Sequence, residues 1–162
     1  MSESRTAQRA GLPFRLGSTS YVYPADILPN VRRLASVIDD MELVLFEVED
    51  CSNLPDDATL AELQALAQRW NLTYTVHLPL DLRLADPDNL SAVSLSVRKA
   101  LTVIERTRRL SPYAYIVHLD GQSELARGAA ADWSRWRKEC ARALHQLMDA
   151  GATLAQICIE NL

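Results

Sequence analysis

Apolar and polar positions along the chain change their period repeatedly, and each change marks an element. "FRLGS", residues 14–18, fits a short strand after a polar, small-residue arm over 1–12. From Pro24 the apolar residues Ile27, Leu28, Val31, Leu34, Ala35 and Ile38 recur at i, i+3, i+4, i+7, the stripe of an amphipathic helix. "ELVLFEV", 42–48, is rich in branched and aromatic residues and predicts a strand. Leu60, Leu63, Leu66 and Ala67 predict a helix near 58–70, and "TYTVHL", 73–78, a third strand. "LADPDN" predicts a loop before a long helix over 90–110, which Ser111-Pro112 stops. "YAYIVHL", 113–119, predicts a fourth strand, "GQSELARG" a loop, and 131–150 a helix ended by Gly151. "AQICIENL", 155–162, predicts a fifth strand.

The order β-α-β-α-β-α-β-α-β requires parallel strands joined by helical crossovers. An open doubly wound sheet and part of a (β/α)8 barrel both satisfy it. The first strand is followed by "GSTSY" rather than the glycine fingerprint of a dinucleotide fold. Barrels of this class run to roughly 250 residues, and at the spacing seen here 162 residues hold five strands of eight. The expected fold is an incomplete (β/α)8 TIM barrel of five parallel strands and four helices. Residues 13–162 would form one domain, with the C-terminal strands absent.

Within the strands, the period of two sorts side chains onto two faces. Thr73, Thr75 and His77 oppose Tyr74, Val76 and Leu78. Ala114, Ile116 and His118 oppose Tyr115, Val117 and Leu119. Gln156, Cys158 and Glu160 oppose Ile157 and Ile159. The more apolar set suits the helix layer, so His77, His118 and Glu160 become the last inward residues of three successive strands. They would stand at the carboxyl-end rim, at one height, where barrel enzymes place their chemistry. A lone histidine at a strand end is usually a packing residue. Two in the repeated sequence Val-His-Leu, with a carboxylate on the next strand, point instead to a divalent-metal site for zinc, manganese or iron.

Other rim residues are weaker candidates. Glu47 ends the second predicted strand and is a candidate neighbour of substrate or metal. Ser18, Thr19, Ser20 and Tyr21 follow the first strand with hydroxyls suited to a phosphate. Asp120, directly after "VHL", is a candidate to orient an imidazole or contact substrate. His145 lies inside a helical pattern and is read as structural or surface.

Composition narrows the partners. The net charge of −4 provides no basic field for nucleic acid or anionic lipid. Arg98, Lys99, Arg106, Arg108 and Arg109 are interrupted by Glu105 and read as a solvated helix face. No apolar run suggests a membrane span or a signal peptide. Cys51, Cys140 and Cys158 form no CxxC pair, which fits reduced thiols in a cytoplasm.

"TVHLPLDLRL", "IVHLDGQ" and "ICIENL" resemble the third, fourth and fifth strand ends of the xylose-isomerase-like barrels, which include endonuclease-IV-type enzymes and many sugar isomerases and epimerases. The resemblance to the endonuclease-IV type implies metal ligation by His77, His118 and Glu160. Sugar epimerases keep mainly the carboxylate, matched here by Glu160. "FRLGSTSYVYPADILPNVRRLA", "DDMELVLFE" and "LTYTVHLPLD" further resemble the cobamide-remodelling phosphodiesterases. That likeness implies a metal-dependent hydrolase opening the nucleotide loop of a corrinoid. The family's remaining ligands come from strands six to eight, so this chain would hold part of the centre and be inactive alone. The alternatives are a sugar or sugar-phosphate isomerase or epimerase, and a non-catalytic half-barrel that self-associates through exposed sheet edges.

Overall fold

A computed structural model describes residues 12–48, 51–86, 88–149 and 151–161. Seven strands occur in chain order: β1 (Gly17–Thr19), β2 (Asp40–Val44), β3 (Glu47–Val48), β4 (Cys51–Ser52), β5 (Thr73–His77), β6 (Ala114–Leu119) and β7 (Ile157–Asn161). Five of them form one all-parallel sheet in the order β1-β2-β5-β6-β7, and β3 pairs with β4 apart from it. A doubly wound sheet would reverse direction at its first strand, and this one does not. The architecture is that of a partial TIM barrel. Between the strands lie α1 (Ile27–Leu34), α2 (Asp57–Trp70), α3 (Leu90–Thr107), α4 (Gln122–Arg127) and α5 (Trp133–Asp149).

The core explains why one strand face is committed to the helices. Met41, Leu43, Tyr74, Val76, Tyr115 and Val117 are buried in one cluster with Val31, Leu60, Leu63, Ala100, Ile104 and Leu147 from the helices. The Tyr74 hydroxyl donates to the Leu63 carbonyl at 2.7 Å. Burial pushes that hydroxyl well above the usual phenol range, so it stays a donor. The opposite face, carrying Glu42, Thr75 and Ile116, is only half covered. The helices therefore sit on one side, and the other side is the inner wall of the barrel.

Several boundaries differ from the sequence expectation. The second strand ends at Val44 rather than running to 48, because Asn53 intervenes. Its side-chain oxygen accepts from the Phe46 N–H at 2.7 Å, and its amide donates to the Val44 carbonyl at 2.9 Å. This bends the chain into the small antiparallel hairpin of β3 and β4. The first strand starts at Gly17, since Leu16 is already engaged with Asp39 through its N–H and carbonyl. The expected loop "GQSELARG" contains α4, so the described residues hold five α-helices rather than four. The expected arm falls on residues 1–11, outside the described residues, and Leu12 alone of it is seen, exposed. Gly151 does follow the last helix, with φ +111°, a conformation other residues rarely adopt.

None of the described helices is long and apolar enough to cross a membrane. Among the described residues nothing pairs with the outer edge of β1 or of β7. Ile159, on the helix-side face of β7, is 54% exposed.

Two measurements check this account. Leu63→Ala should lower the free energy of unfolding by about 3 kcal/mol in urea titration, since it empties a fully buried site beneath Tyr74. A protein limited to the described strands should self-associate through the unpaired edges of β1 and β7, and sedimentation showing a monomer at high concentration would contradict that expectation.

Candidate metal centre

His77 ends β5, His118 lies one residue before the end of β6, and Glu160 one before the end of β7. Parallel pairing places His118 beside Glu160 and His77 beside Ile116. All three side chains therefore leave the same face of the sheet at its carboxyl end. The histidines are not level, as the sequence suggested. His77 lies one inward step below His118, because the register between β5 and β6 is staggered. The imidazoles meet across that offset, edge to face, with ring centroids 4.7 Å apart and planes at 87°.

Glu160 joins them. Its Oε2 lies 3.1 Å from His118 Nε2 and 3.6 Å from His77 Nε2. One ligand atom from each of the three residues falls within 4.8 Å of the others. Two ligands held about 2.1 Å from one tetrahedral zinc lie about 3.4 Å apart, and the carboxylate separations bracket that value. His77 Nδ1 is 2.7 Å from the Leu78 carbonyl, so it carries the proton and leaves the Nε2 lone pair facing the cluster. His118 Nδ1 is buried without a hydrogen-bond partner. Two imidazole nitrogens and a carboxylate oxygen are a donor set for zinc, manganese or iron, so the cluster can hold a divalent metal. Both histidines are nearly buried, while the Glu160 side chain is 54% exposed.

The three residues open into a cavity of about 710 Å³ lined also by Glu42, Ile116, Cys158 and Ile159. Glu42 had no role in the sequence reading. The inward parity of β2 could have found it, since Glu42 sits opposite the buried set Met41 and Leu43 and beside Thr75.

The weaker candidates lie elsewhere. Glu47 belongs to the hairpin, and its carboxylate lines a groove with Val48, Leu95, Arg98, Lys99 and Thr102 on the helix side. Tyr21 accepts a hydrogen bond from Asn53 Nδ2 at 2.7 Å, in a separate surface hollow. The Ser20 hydroxyl accepts from the Val44 N–H at 3.1 Å, so it continues the sheet ladder. Asp120 does not orient an imidazole here. Its Oδ1 accepts from the Gln122 N–H at 2.7 Å, and its side chain lines a small hollow at the rim. His145 is exposed on α5.

No protein-family model matches the chain, and no curated protein matches it. Solved structures share its fold. A D-tagatose 3-epimerase-like protein superposes with a TM-score of 0.66 at 18% identity, over 91% of this chain and 52% of that one. The TTHB071 protein from Thermus thermophilus, in a crystal soaked with ZnCl2, gives 0.52 at 19% identity, over 91% and 55%. A structure titled AsfvAP:AG gives 0.52 at 8% identity, over 91% and 47%. The chain thus spans about half the length of the structures it matches. At these identities the likeness shows the barrel fold. It favours neither the endonuclease-IV type nor the cobamide-remodelling type.

Zinc or manganese should raise the melting temperature of the chain, with a gain of about 2.7 kcal/mol when the ion is at a hundred times its Kd. His118→Ala and Glu160→Gln should abolish the gain, and an unchanged melting curve in wild type would remove the site. Thiol labelling gives a second readout. Cys51 and Cys158 are exposed, whereas burial raises the Cys140 thiol to about 11. At pH 8 iodoacetamide should modify Cys51 and Cys158 and spare Cys140, and zinc should slow only Cys158, which shares the cavity.

Proposed function

We propose that the barrel to which these five strands belong is a divalent-metal-dependent sugar isomerase or epimerase. The observation that carries the reading is the composition of the inner cavity. Two imidazoles and Glu160 form the ligand cluster, Glu42 supplies a second carboxylate, and among the described residues no Lys or Arg lines the wall. A phosphodiesterase would hold its anion on the metal alone, whereas proton transfer at carbon needs a base beside the metal, and Glu42 faces the same cavity. The epimerase-like neighbour agrees with the sugar reading.

An ion held by His77, His118 and Glu160 would supply a Lewis acid for a carbonyl or hydroxyl oxygen of the sugar. The protein's own groups do the rest. His77 is fixed by its bond to Leu78, and both imidazoles are locked by burial, so the cluster is preorganised. The Glu42 carboxylate accepts the proton from a carbon next to the carbonyl, and the C–H electron pair moves into the carbonyl to give an enediolate. Inversion of that carbon needs an acid on its other face, a role left to the rest of the barrel; return of the proton from Glu42 to the neighbouring carbon, with a proton passing between the two oxygens, isomerises the sugar. General-base transfer of this kind contributes about 10²- to 10⁴-fold in rate.

The test is a panel of ketoses and aldoses incubated with the full-length protein and manganese or zinc in D2O, read by NMR. Deuterium entry at the carbon next to the carbonyl is expected. Glu42→Gln should lower kcat by about a hundredfold or more while leaving metal affinity unchanged. Absence of exchange with every sugar, alongside hydrolysis of a cobamide, would establish the phosphodiesterase instead. Metal binding with neither activity would leave a non-catalytic interaction domain.

A further inference from the structure

A second polar hollow of about 250 Å³ opens at the rim, lined by Arg83, Ala85, Asp86, Asp120 and Gln122. Its place follows from the strand above which it sits. Asp120 is two residues beyond His118 and continues the inward parity of β6. Arg83 lies in the loop after β5, which delivers His77.

The backbones on both sides of the hollow are pinned, while the side chains facing it keep bonding capacity. Leu82, Leu84 and Ala85 are buried, and the Arg83 N–H donates to the buried Ser96 hydroxyl at 2.8 Å. The Arg83 guanidinium is 64% exposed, and its ion pair to Asp86 is loose, at 3.9 Å. On the other side, the Asp120 carbonyl accepts from Trp136 Nε1 at 3.2 Å. Trp133 packs so closely on Gly121 that a Cβ there would meet its ring at 3.1 Å. Arg127 ties the two sides together, pairing with the fully buried Glu124 and with Asp88.

The lining mixes hydrogen-bond types. Arg83 and the Gln122 amide donate, while Asp86, Asp120 and the Gln122 carbonyl accept. Its formal charge is negative, with one guanidinium against two carboxylates. A phosphate dianion placed there would meet more like charge than opposite charge. A chain of hydroxyls, each both donor and acceptor, matches the set.

We infer that this hollow is the subsite for the distal hydroxyls of an uncharged polyhydroxylated substrate, and that the carboxylates of Asp86 and Asp120 set the preference for the free sugar over its phosphate. The inference rests on the sugar reading above and narrows it to unphosphorylated sugars. Ligand hydroxyls bind Asp86 and Asp120 as donors and Arg83 as acceptors. The metal cluster below holds the reacting end.

The experiment is an amide NMR titration of the zinc-loaded full chain with D-fructose and, separately, D-fructose 6-phosphate. Free fructose should shift the amides of Arg83, Asp120 and Gln122 and bind more tightly than its phosphate. Asp120→Asn should weaken fructose binding about tenfold, the loss of one hydrogen bond to a charged group. Arg83→Gln should weaken it similarly and remove what phosphate binding exists. Zinc affinity should be unchanged in both variants, which shows that they fold and keep the ligand cluster. The inference is overturned if the phosphate binds more tightly, if neither sugar shifts these amides, or if both variants bind fructose like wild type. Shifts confined to residues around Glu160 would reject the subsite while the sugar reading stands. Fructose bound at the rim without deuterium exchange in the full-length protein would reject the sugar chemistry while the subsite stands.

Discussion

Burial of alternate strand residues beneath the helices is the constraint on which the rest depends. Met41, Leu43, Tyr74, Val76, Tyr115 and Val117 must leave water together, at about 1.5–3 kcal/mol for each large side chain. Once that set is fixed, the intervening residues have one face left to them. Glu42, His77, His118, Cys158 and Glu160 reach a common cavity because their neighbours on each strand are core residues or share the core's parity. The chemistry of the inner wall is thus a by-product of the packing on the outer one. A one-residue slip of any strand would exchange the two sets and disperse the ligands.

That same parity is what the sequence displays. Alternation within "TYTVHL" and "YAYIVHL" reveals which face each histidine takes, and β-α alternation reveals parallel strands. What alternation does not carry is the relative height of two strands. The stagger that sets His77 level with Ile116 depends on how helices and loops space the strands, and no local pattern encodes it. The hairpin after β2 was hidden for a related reason. "ELVLFEV" is a good strand by composition, and the break comes from Asn53, whose side chain substitutes for a ladder partner from outside the run. Glu47 accordingly lies on the hairpin, whereas Glu42 lies on the strand itself, with an inward parity that the alternation displays. Helix α4 is six residues long between Gly121 and Gly128, too short for a period of 3.6 to declare itself.

The electrostatics of the site also follow from position. Both imidazoles lie beneath the rim and are nearly buried, whereas the Glu160 side chain is about half exposed. The buried partners are held rigidly by sheet and core. The carboxylate, being half exposed, has more freedom to adjust. A centre of this kind combines fixed nitrogen ligands with one adaptable oxygen.

The placement of Glu160 has a consequence for the order in which the centre is assembled. His118 and Glu160 are 42 residues apart in sequence and meet only when β7 docks on β6. During synthesis from the amino end, β1 to β6 and the helices between them can form their shared core before that carboxylate exists. The paired imidazoles would then wait as an incomplete chelate, and capture of an ion would coincide with closure of the fifth strand. An ion that needs all three ligands would therefore wait for β7 to pair with β6.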